Sequence, residues 1–208
     1  MEKIAVIPVR SGSKRLPKKN YRQFNHRNLP EIARNKCLEA GIFDKIVITS
    51  DDPFFETLVN SDQVEFLLRD QSLTSDNATT DEVIDFLFTK FPFCESILWV
   101  NSVSPLQTTQ DIRDCGIRLN DPKIDCVMAV NTLYQHCCLA GEPLNFDPNN
   151  AFEATQNLEP ILRYVYSCMG WKRETYIKDR NNGFKGLFPG NMALVEVSAL
   201  AGMLIKYE

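Results

Sequence analysis

Short apolar runs alternate with helix-patterned segments through the first 130 residues of the chain. The strand-like runs are Ile4–Ile7, Ile46–Thr49, Val64–Leu68, Ile97–Val100 and Cys126–Val130. Helical segments are predicted between them, near 30–40, 53–60, 81–90 and 109–119. This alternation predicts a mainly parallel sheet with helices on both faces. Ligands on such sheets bind at the carboxyl ends of strands, so the loops that follow the runs are where a site is expected.

Single residues mark the ends of the predicted helices. Pro30 suits a first helical position and Gly41 suits a helix end. Candidate caps for the next two helices are Thr79 or Thr80 and Thr108 or Thr109. Ser50, Asp51 and Asp52 close the second run, where such a pair of acids is more often a helix cap than a ligand, so Asp51 receives no catalytic role.

Composition limits the class of protein. With 208 residues, 44% of them hydrophobic, one domain over 1–208 is expected. The sequence has no run of 18 apolar residues and no visible signal-peptide pattern, so no membrane association is expected. Seven cysteines without a Cys-x-x-Cys pair predict reduced, mostly buried thiols in a cytoplasmic protein. His136 beside Cys137 and Cys138 leaves a metal site or a nucleophilic thiol open, although the spacing fits no tetrahedral site.

The first apolar run breaks at Pro8 into a loop, residues 8–20, that we call the basic loop. It holds one Gly, two Ser and five basic residues: Arg10, Lys14, Arg15, Lys18 and Lys19. Small residues let a backbone approach a ligand closely, and their N–H groups can cradle phosphate oxygens. Because the net charge is -4, one basic loop predicts a small anionic ligand and not nucleic acid. A solvated loop is the alternative, and the pattern is neither Gly-x-x-x-x-Gly-Lys-Ser/Thr nor Gly-x-Gly-x-x-Gly.

The basic loop resembles the N-terminal signature of the acylneuraminate cytidylyltransferase family, the CMP-sugar synthetases. Matching positions are Ile7, Pro8, Arg10, Gly12, Ser13, Lys14, Leu16, Pro17, Lys19 and Asn20. The resemblance implies a three-layer α/β nucleotidyltransferase fold, Rossmann-like, with a mainly parallel sheet and a small extension after residue 130. It also implies that the loop grips the phosphates of CTP. The nucleotide-binding residues expected here are Arg10, Ser11, Gly12, Ser13, Lys14, Lys19 and Asn20, with Arg10, Lys14 and Lys19 catalytic through neutralisation of phosphate charge.

Two later segments resemble further signatures of the same family. The segment from Arg69 to Asp81 is similar to the cytosine-reading signature, which implies nucleotide contacts from Arg69, Thr79 and Thr80; a polar turn with a helix cap is the alternative. The resemblance also implies sugar contacts from Asn101, where the family has Gln, and from Gln156 and Arg163. Thr155 stands where the family has Arg.

The C-terminal part departs most from the family, whose two aspartates there hold Mg²⁺ against the triphosphate. Here Glu196 and Ser198 occupy those places, so Glu196 is the metal-ligand candidate and Mg²⁺ binding is expected to be weak or partly supplied by the nucleotide. Ser198 is two residues from Glu196 and is therefore expected on the same strand face, so Ser198→Asp is expected to restore the missing acid and to raise turnover at limiting Mg²⁺.

The resemblance implies an enzyme that transfers CMP from CTP to a 2-keto acid sugar and releases pyrophosphate. The alternatives are a nucleotide-binding relative with impaired catalysis and a nucleotidyltransferase for another base or acceptor. A homodimer is expected through the 131–165 extension, because it carries apolar residues with few charges: Leu139, Leu144, Phe146 and Phe152.

Overall fold

A computed structural model describes residues 2–75 and 77–205 of the chain. The strands are β1 (Glu2–Pro8), β2 (Gln23–Phe24), β3 (Arg27–Asn28), β4 (Lys45–Ser50), β5 (Val64–Leu68), β6 (Cys94–Val100), β7 (Cys126–Leu133), β8 (Cys138–Leu139), β9 (Glu142–Pro143), β10 (Ile161–Lys172) and β11 (Met192–Glu196). The helices are α1 (Leu29–Ala40), α2 (Thr80–Lys90), α3 (Thr109–Leu119) and α4 (Arg173–Asn181). Short 3-10 helices span Lys19–Tyr21, Pro53–Leu58, Gln71–Thr74, Thr155–Asn157 and Ala199–Gly202.

Seven strands form one sheet in the order β11-β7-β10-β6-β1-β4-β5. Strands β6, β1, β4 and β5 are mutually parallel, and β11 is parallel to β7. Strand β10 runs antiparallel between β6 and β7 and joins the two groups. The mainly parallel sheet is therefore confirmed, while the reversed central strand was not predicted, because an apolar run carries no sign of its direction.

Helices cover both faces of the sheet, as the alternation along β1 shows. Ala5 and Ile7 point into a core cluster shared with α1 and α3, whereas Ile4 and Val6 point into a second cluster shared with α2 and α4. Each of these four side chains is at most 1% exposed. The expected three-layer α/β architecture is thus the observed one.

The predicted helix ends are mostly correct. Thr79 and Thr108 each cap a helix in a reciprocal arrangement, with Glu82 and Asp111 three residues later. Gly41 ends α1 with φ 66°, in the left-handed region that favours glycine. The segment predicted as a helix near 53–60 is a 3-10 helix. Helix α4 was missed, because Tyr176 is its one buried residue and, apart from the neighbouring Ile177, the rest of its sequence is polar.

Helix α4 is held to α2 by charge as well as by packing. Arg180 pairs with Asp81 at 3.4 Å and with Asp85 at 2.7 Å. The ring of Tyr176 packs beside Phe88 of α2, with 5.2 Å between ring centroids. These contacts fix the N-terminal turn of α2, which borders the site described below.

The extension is shorter than the sequence suggested. Residues 131–133 complete β7, and Ile161 pairs with Leu133 in the main sheet, so the chain leaves the sheet over 134–160. This excursion holds the small β8–β9 hairpin and a group of three rings, in which His136 stacks on Phe152 at 3.9 Å and meets Phe146 edge-on.

All seven cysteines are unpaired, and five of them are buried. Burial raises the pKa of the Cys94 thiol to about 11 and that of the Cys126 thiol to about 12, so both stay protonated at neutral pH. The prediction that the thiols are mostly buried is confirmed. Within residues 2–75 and 77–205, no cluster of three or more His, Cys, Asp or Glu side chains could hold a metal ion. In the same ranges no helix has the length and apolar content needed to cross a bilayer.

Candidate functional site

A cavity of about 310 Å³ opens at the carboxyl ends of β1, β5 and β6, beside the first turn of α2. This is the edge of the sheet at which ligands of such folds bind. It brings together segments far apart in sequence: the basic loop, the stretch after β5 and the stretch after β6. The predicted site residues that line it are Arg10, Gly12, Ser13, Lys19, Asn20, Arg69, Thr79, Thr80 and Asn101.

The middle of the basic loop presents open backbone to this cavity. A Cβ added at Gly12 would meet no atom within 4 Å, so the missing side chain leaves the peptide accessible. Of the other predicted loop residues, Lys14 is exposed and lies outside the lining. Main-chain N–H groups and basic side chains on one loop suit an anion.

Arg69 holds the first residues of the basic loop in place by hydrogen bonds. Its guanidinium is 6% exposed, and its Nη2 donates to the carbonyl of Val9 at 2.7 Å and to that of Thr49 at 3.4 Å. Burial lowers the pKa of Arg69 to about 10, so the group remains charged at neutral pH. Its Nε is buried and has no protein partner.

The far end of the basic loop is fixed by two neighbouring residues. Asn20 is buried and donates its Nδ2 to the carbonyl of Arg10 at 3.0 Å, while its Oδ1 has no protein partner. Lys19 donates its Nζ to the carbonyl of Ile205 at 3.1 Å. Burial, together with the charges of Arg15 and Arg10, lowers the pKa of Lys19. Cations crowded enough to repel one another favour an anionic ligand between them.

Ser11 faces away from the cavity, toward Asp51 at the end of β4. Its N–H donates to Oδ1 of Asp51 at 2.8 Å, and its hydroxyl donates to Oδ2 at 2.6 Å. Burial alone would raise the pKa of Asp51, but these hydrogen bonds outweigh it and lower the pKa. The predicted capping role belongs to Asp52, which accepts from the N–H of Phe54 at 2.8 Å. The role of Asp51 was missed in the sequence, although its place after a strand adjacent to β1 was a usable signal.

The segment after β5 combines the two expectations made for it. Asp70 caps the 3-10 helix Gln71–Thr74, and the Thr79 hydroxyl exchanges hydrogen bonds with Glu82 at the start of α2. Six residues of this segment also line the cavity: Leu73, Thr74, Ser75, Ala78, Thr79 and Thr80. The polar turn with its helix cap therefore also forms a wall of the cavity. Asp76, inside this segment, lies outside the described residues.

The wall from β6 has apolar as well as polar members. Trp99 near the end of the strand, Asn101 just after it and Val103 all line the cavity. The Oδ1 of Asn101 accepts the N–H of Val103 at 3.3 Å, which shapes the turn after the strand. Trp99 was missed in the sequence, and its position two residues before Asn101 was the signal that could have found it.

The remaining predicted residues lie outside the cavity lining. Arg163 donates its Nη2 to Oδ1 of Asn131 at 2.9 Å, and the Nδ2 of Asn131 donates to the carbonyl of Val197 at 2.9 Å. Gln156 is exposed on a 3-10 helix within the excursion. The structure of one chain therefore does not bring these two residues to the nucleotide loop.

Within the part of the chain that the structure describes, Glu196 and Ser198 do not come together beside the cavity. Glu196 is exposed at the end of β11 and outside the cavity lining. Ser198 lies beyond the strand and gives both its N–H and its hydroxyl to Asp111, each at 2.7 Å. The expectation that Ser198 shares a strand face with Glu196 is therefore wrong, because the strand ends at Glu196 and Ser198 turns toward α3.

The carboxylate of Asp111 is committed to these structural contacts. It is 6% exposed and also accepts the N–H of Thr108 at 2.6 Å. Burial alone would raise the pKa of Asp111, but hydrogen bonds from Ser198 and Thr108 lower it. Asp111 thus joins the end of β11 to the first turn of α3.

Comparisons with known proteins show which proteins this chain is similar to. A family model described as cytidylyltransferase matches residues 4–159. A pseudaminic acid cytidylyltransferase of Campylobacter jejuni is 28% identical over 170 residues, 80% of this chain and 63% of the relative. An N-acylneuraminate cytidylyltransferase of Escherichia coli O18:K1:H7 is 23% identical over 180 residues, 86% of this chain and 40% of the relative. The chain therefore spans 40% to 63% of the length of these relatives.

Solved structures show the same fold at low identity. A CMP:2-keto-3-deoxy-manno-octonic acid synthetase in complex with CTP aligns with a TM-score of 0.73 at 12% identity, covering 100% of this chain and 94% of that one. A 4-diphosphocytidyl-2C-methyl-D-erythritol synthase of Anaerococcus prevotii aligns with a TM-score of 0.66 at 10% identity, covering 99% and 93%. Because the family model spans residues 4–159 of the 208, the chain belongs to the cytidylyltransferase family, as a divergent member.

Proposed function

We propose that this protein transfers CMP from CTP to an acidic 2-keto sugar and releases pyrophosphate. The observation that carries the proposal is the cavity, whose lining includes eight of the ten residues predicted to bind the nucleotide: Arg10, Gly12, Ser13, Lys19, Asn20, Arg69, Thr79 and Thr80. They meet at the carboxyl edge of the sheet, in a member of the cytidylyltransferase family.

The mechanism follows from the distribution of charge around the cavity. Arg10 and Lys19 neutralise the triphosphate, and the N–H groups of Gly12 and Ser13 bind its oxygens. The anomeric hydroxyl of the sugar attacks the α-phosphorus and gives its proton to a phosphate oxygen, while the bond from the α-phosphorus to pyrophosphate breaks and pyrophosphate leaves toward the same cations. The protein contributes orientation of the two reactants and stabilisation of the charge that develops on the phosphate oxygens.

On the base side, the segment from Leu73 to Thr80 forms the wall. Its hydroxyls and main-chain groups suit cytosine, which offers an N4 donor and acceptors at O2 and N3. The acceptor sugar approaches along Asn101, with Arg163 and Gln156 contributing after a rearrangement or from a partner subunit. Any Mg²⁺ is carried chiefly by the triphosphate, since Glu196 is exposed and Ser198 is bound to Asp111.

A nucleotide-binding relative without efficient catalysis is the second candidate. Three predicted sugar or metal residues outside the cavity lining favour it: Gln156, Arg163 and Glu196. Calorimetry with CTP, UTP, ATP and GTP tests the nucleotide assignment, and CTP is expected to bind most tightly. Steady-state turnover with a panel of 2-keto acid sugars then separates the two candidates. Equal affinity for all four nucleotides would reject the cytidylyl assignment, and CTP binding without turnover of any sugar would favour the binder.

Removing cations from the basic loop is expected to weaken CTP binding. Arg10→Ala deletes a proposed charge-assisted phosphate contact, worth roughly 1.5–3 kcal/mol, and Lys14→Ala is expected to act in the same direction although Lys14 lies outside the cavity lining. Melting temperature is expected to stay near the wild-type value, because both side chains are exposed. Lys123→Ala, an exposed cation before β7 at the opposite end of the strands, is the control. An early-melting variant with unchanged CTP affinity would make that residue structural.

A homodimer through the excursion is also proposed. Leu139 and Phe152 are 70% and 80% exposed there, and such exposure of large apolar side chains favours an interface. Phe152→Ser is expected to shift the protein from dimer toward monomer in light scattering at micromolar concentration. Phe93→Ser is the matched control, because Phe93 is 82% exposed at the other end of the sheet. A monomeric wild type contradicts the proposal.

A further inference from the structure

We propose that Asp51 is a positioning residue for the nucleotide, which acts through Ser11 to hold the basic loop in its binding shape. The proposal rests on the function proposed above. It adds a residue to the site that does not line the cavity, and it changes the role expected for Ser11 from a phosphate contact to a link.

Ser11 and Asp51 are joined by two hydrogen bonds, which we call the clasp. Both donors of Ser11 reach one carboxylate, the N–H at 2.8 Å and the hydroxyl at 2.6 Å. Two hydrogen bonds from one residue to one rigid group fix the position and the orientation of its peptide. The Asp51 carboxylate is ionised at neutral pH, which makes both bonds charge-assisted and hence stronger than neutral ones.

The position of Ser11 gives the clasp its effect on the site. Its neighbours on both sides, Arg10 and Gly12, line the cavity, whereas Ser11 does not. Drawing Ser11 outward therefore turns the flanking residues inward, toward the place of the phosphates. In the clasp, both Ser11 donors bind the Asp51 carboxylate. These bonds reduce the repulsion between its negative charge and a bound phosphate.

Asp51 is placed for this role by the sheet. Strand β4 pairs with β1 in parallel, with Pro8 opposite Thr49, so the residues that follow the two strands lie side by side. The clasp is one of three anchors on consecutive loop residues: Arg69 binds the carbonyl of Val9 and Asn20 binds the carbonyl of Arg10. Of the three anchors, only the clasp joins a donor of the loop to an acid.

The test compares Ser11→Ala, Asp51→Ala and the double variant in the full chain. Asp44→Ala is the matched control, because Asp44 accepts the N–H of Lys3 at 2.8 Å at the opposite end of β4. CTP dissociation constants are measured by calorimetry, melting temperatures by scanning, and loop order by the rate of trypsin cleavage after Lys14 and Arg15 without nucleotide. Asp51→Asn, which keeps one acceptor for Ser11, is the rescue variant.

We expect each single variant to bind CTP about 10-fold more weakly, and the double variant to bind no more weakly than Asp51→Ala, since the two residues act as one unit. Asp51→Asn is expected to recover part of the affinity, and trypsin is expected to cut the Asp51→Ala loop several-fold faster than in Asp44→Ala. Unchanged CTP affinity in Asp51→Ala, or additive single effects, would overturn the proposal.

The failure of this proposal and the failure of the proposed function give different results. If the wild type binds no nucleotide, the function is rejected, and the trypsin comparison alone then decides whether the clasp orders the loop. If the wild type binds CTP but Asp51→Ala binds it equally well, the function stands and the clasp is rejected.

Discussion

Arg69→Met is expected to weaken CTP binding about 10- to 100-fold, the largest single effect on binding in the site. The substitution removes a buried charge that holds the Val9 carbonyl, together with a buried Nε donor that has no protein partner. Hydrogen bonds to charged groups contribute roughly 1.5–3 kcal/mol each, and methionine fills similar space without a donor. Calorimetry of CTP binding gives the affinity, and unfolding in urea gives the stability.

Arg118→Met is the matched control for this prediction. Arg118 pairs with Asp121 on the surface, where its side chain is 48% exposed, and exposed pairs contribute little. The control is expected to match the wild type in both measurements. If Arg69→Met also binds CTP like the wild type, the basic loop keeps its shape without the guanidinium and Arg69 is a packing residue.

Ser198→Asp is expected to destabilise the protein by roughly 3–5 kcal/mol, the cost of a buried charge without a partner. The new carboxylate would face Asp111, which is 6% exposed and loses the hydroxyl donor it now accepts. This expected loss of stability is the opposite of what the sequence predicts, which is that Ser198→Asp restores a ligand for Mg²⁺. Ser198→Ala is the control, because it removes the same hydroxyl without adding charge and should cost less.

The pH dependence of Ser198→Asp identifies the cause. Two facing carboxylates raise the folded-state pKa of one of them, so the folded variant binds more protons than the unfolded chain. Its stability deficit relative to Ser198→Ala should therefore shrink as the pH falls from 7 toward 4. Increased turnover at limiting Mg²⁺ with unchanged stability would instead show that the residue faces Glu196.

The sequence predicts the sheet and the basic loop well because both depend on local signals. Apolar runs mark the strands, and the cluster of Gly12, Ser13 and basic residues marks the loop. The direction of β10 and the orientation of Ser198 depend on which elements meet in space, and no local pattern carries that information. Helix α4 escaped detection for another reason, since its polar sequence buries Tyr176 alone.

The same limit applies to the residues around the cavity. Arg69 and Asn101 follow apolar runs, and both line the cavity. Asp51 follows a run as well, but its partner Ser11 lies 40 residues away and only the pairing of β4 with β1 brings them together. Arg163 lies on the reversed strand β10 and Gln156 lies on the excursion, where register and loop path decide the position of a side chain.

The reversed strand β10 divides the sheet into two parts, and this division bears on which substitutions can change specificity. Every described residue that lines the cavity falls between Pro8 and Val103, on the β6-β1-β4-β5 part of the sheet. The other part, β7 and β11, connects to it only through β10 within the sheet. If the function proposed here holds, choice of nucleotide is encoded in one continuous half of the gene. Substitutions after Cys126 could then alter the choice of acceptor while leaving the recognition of CTP intact.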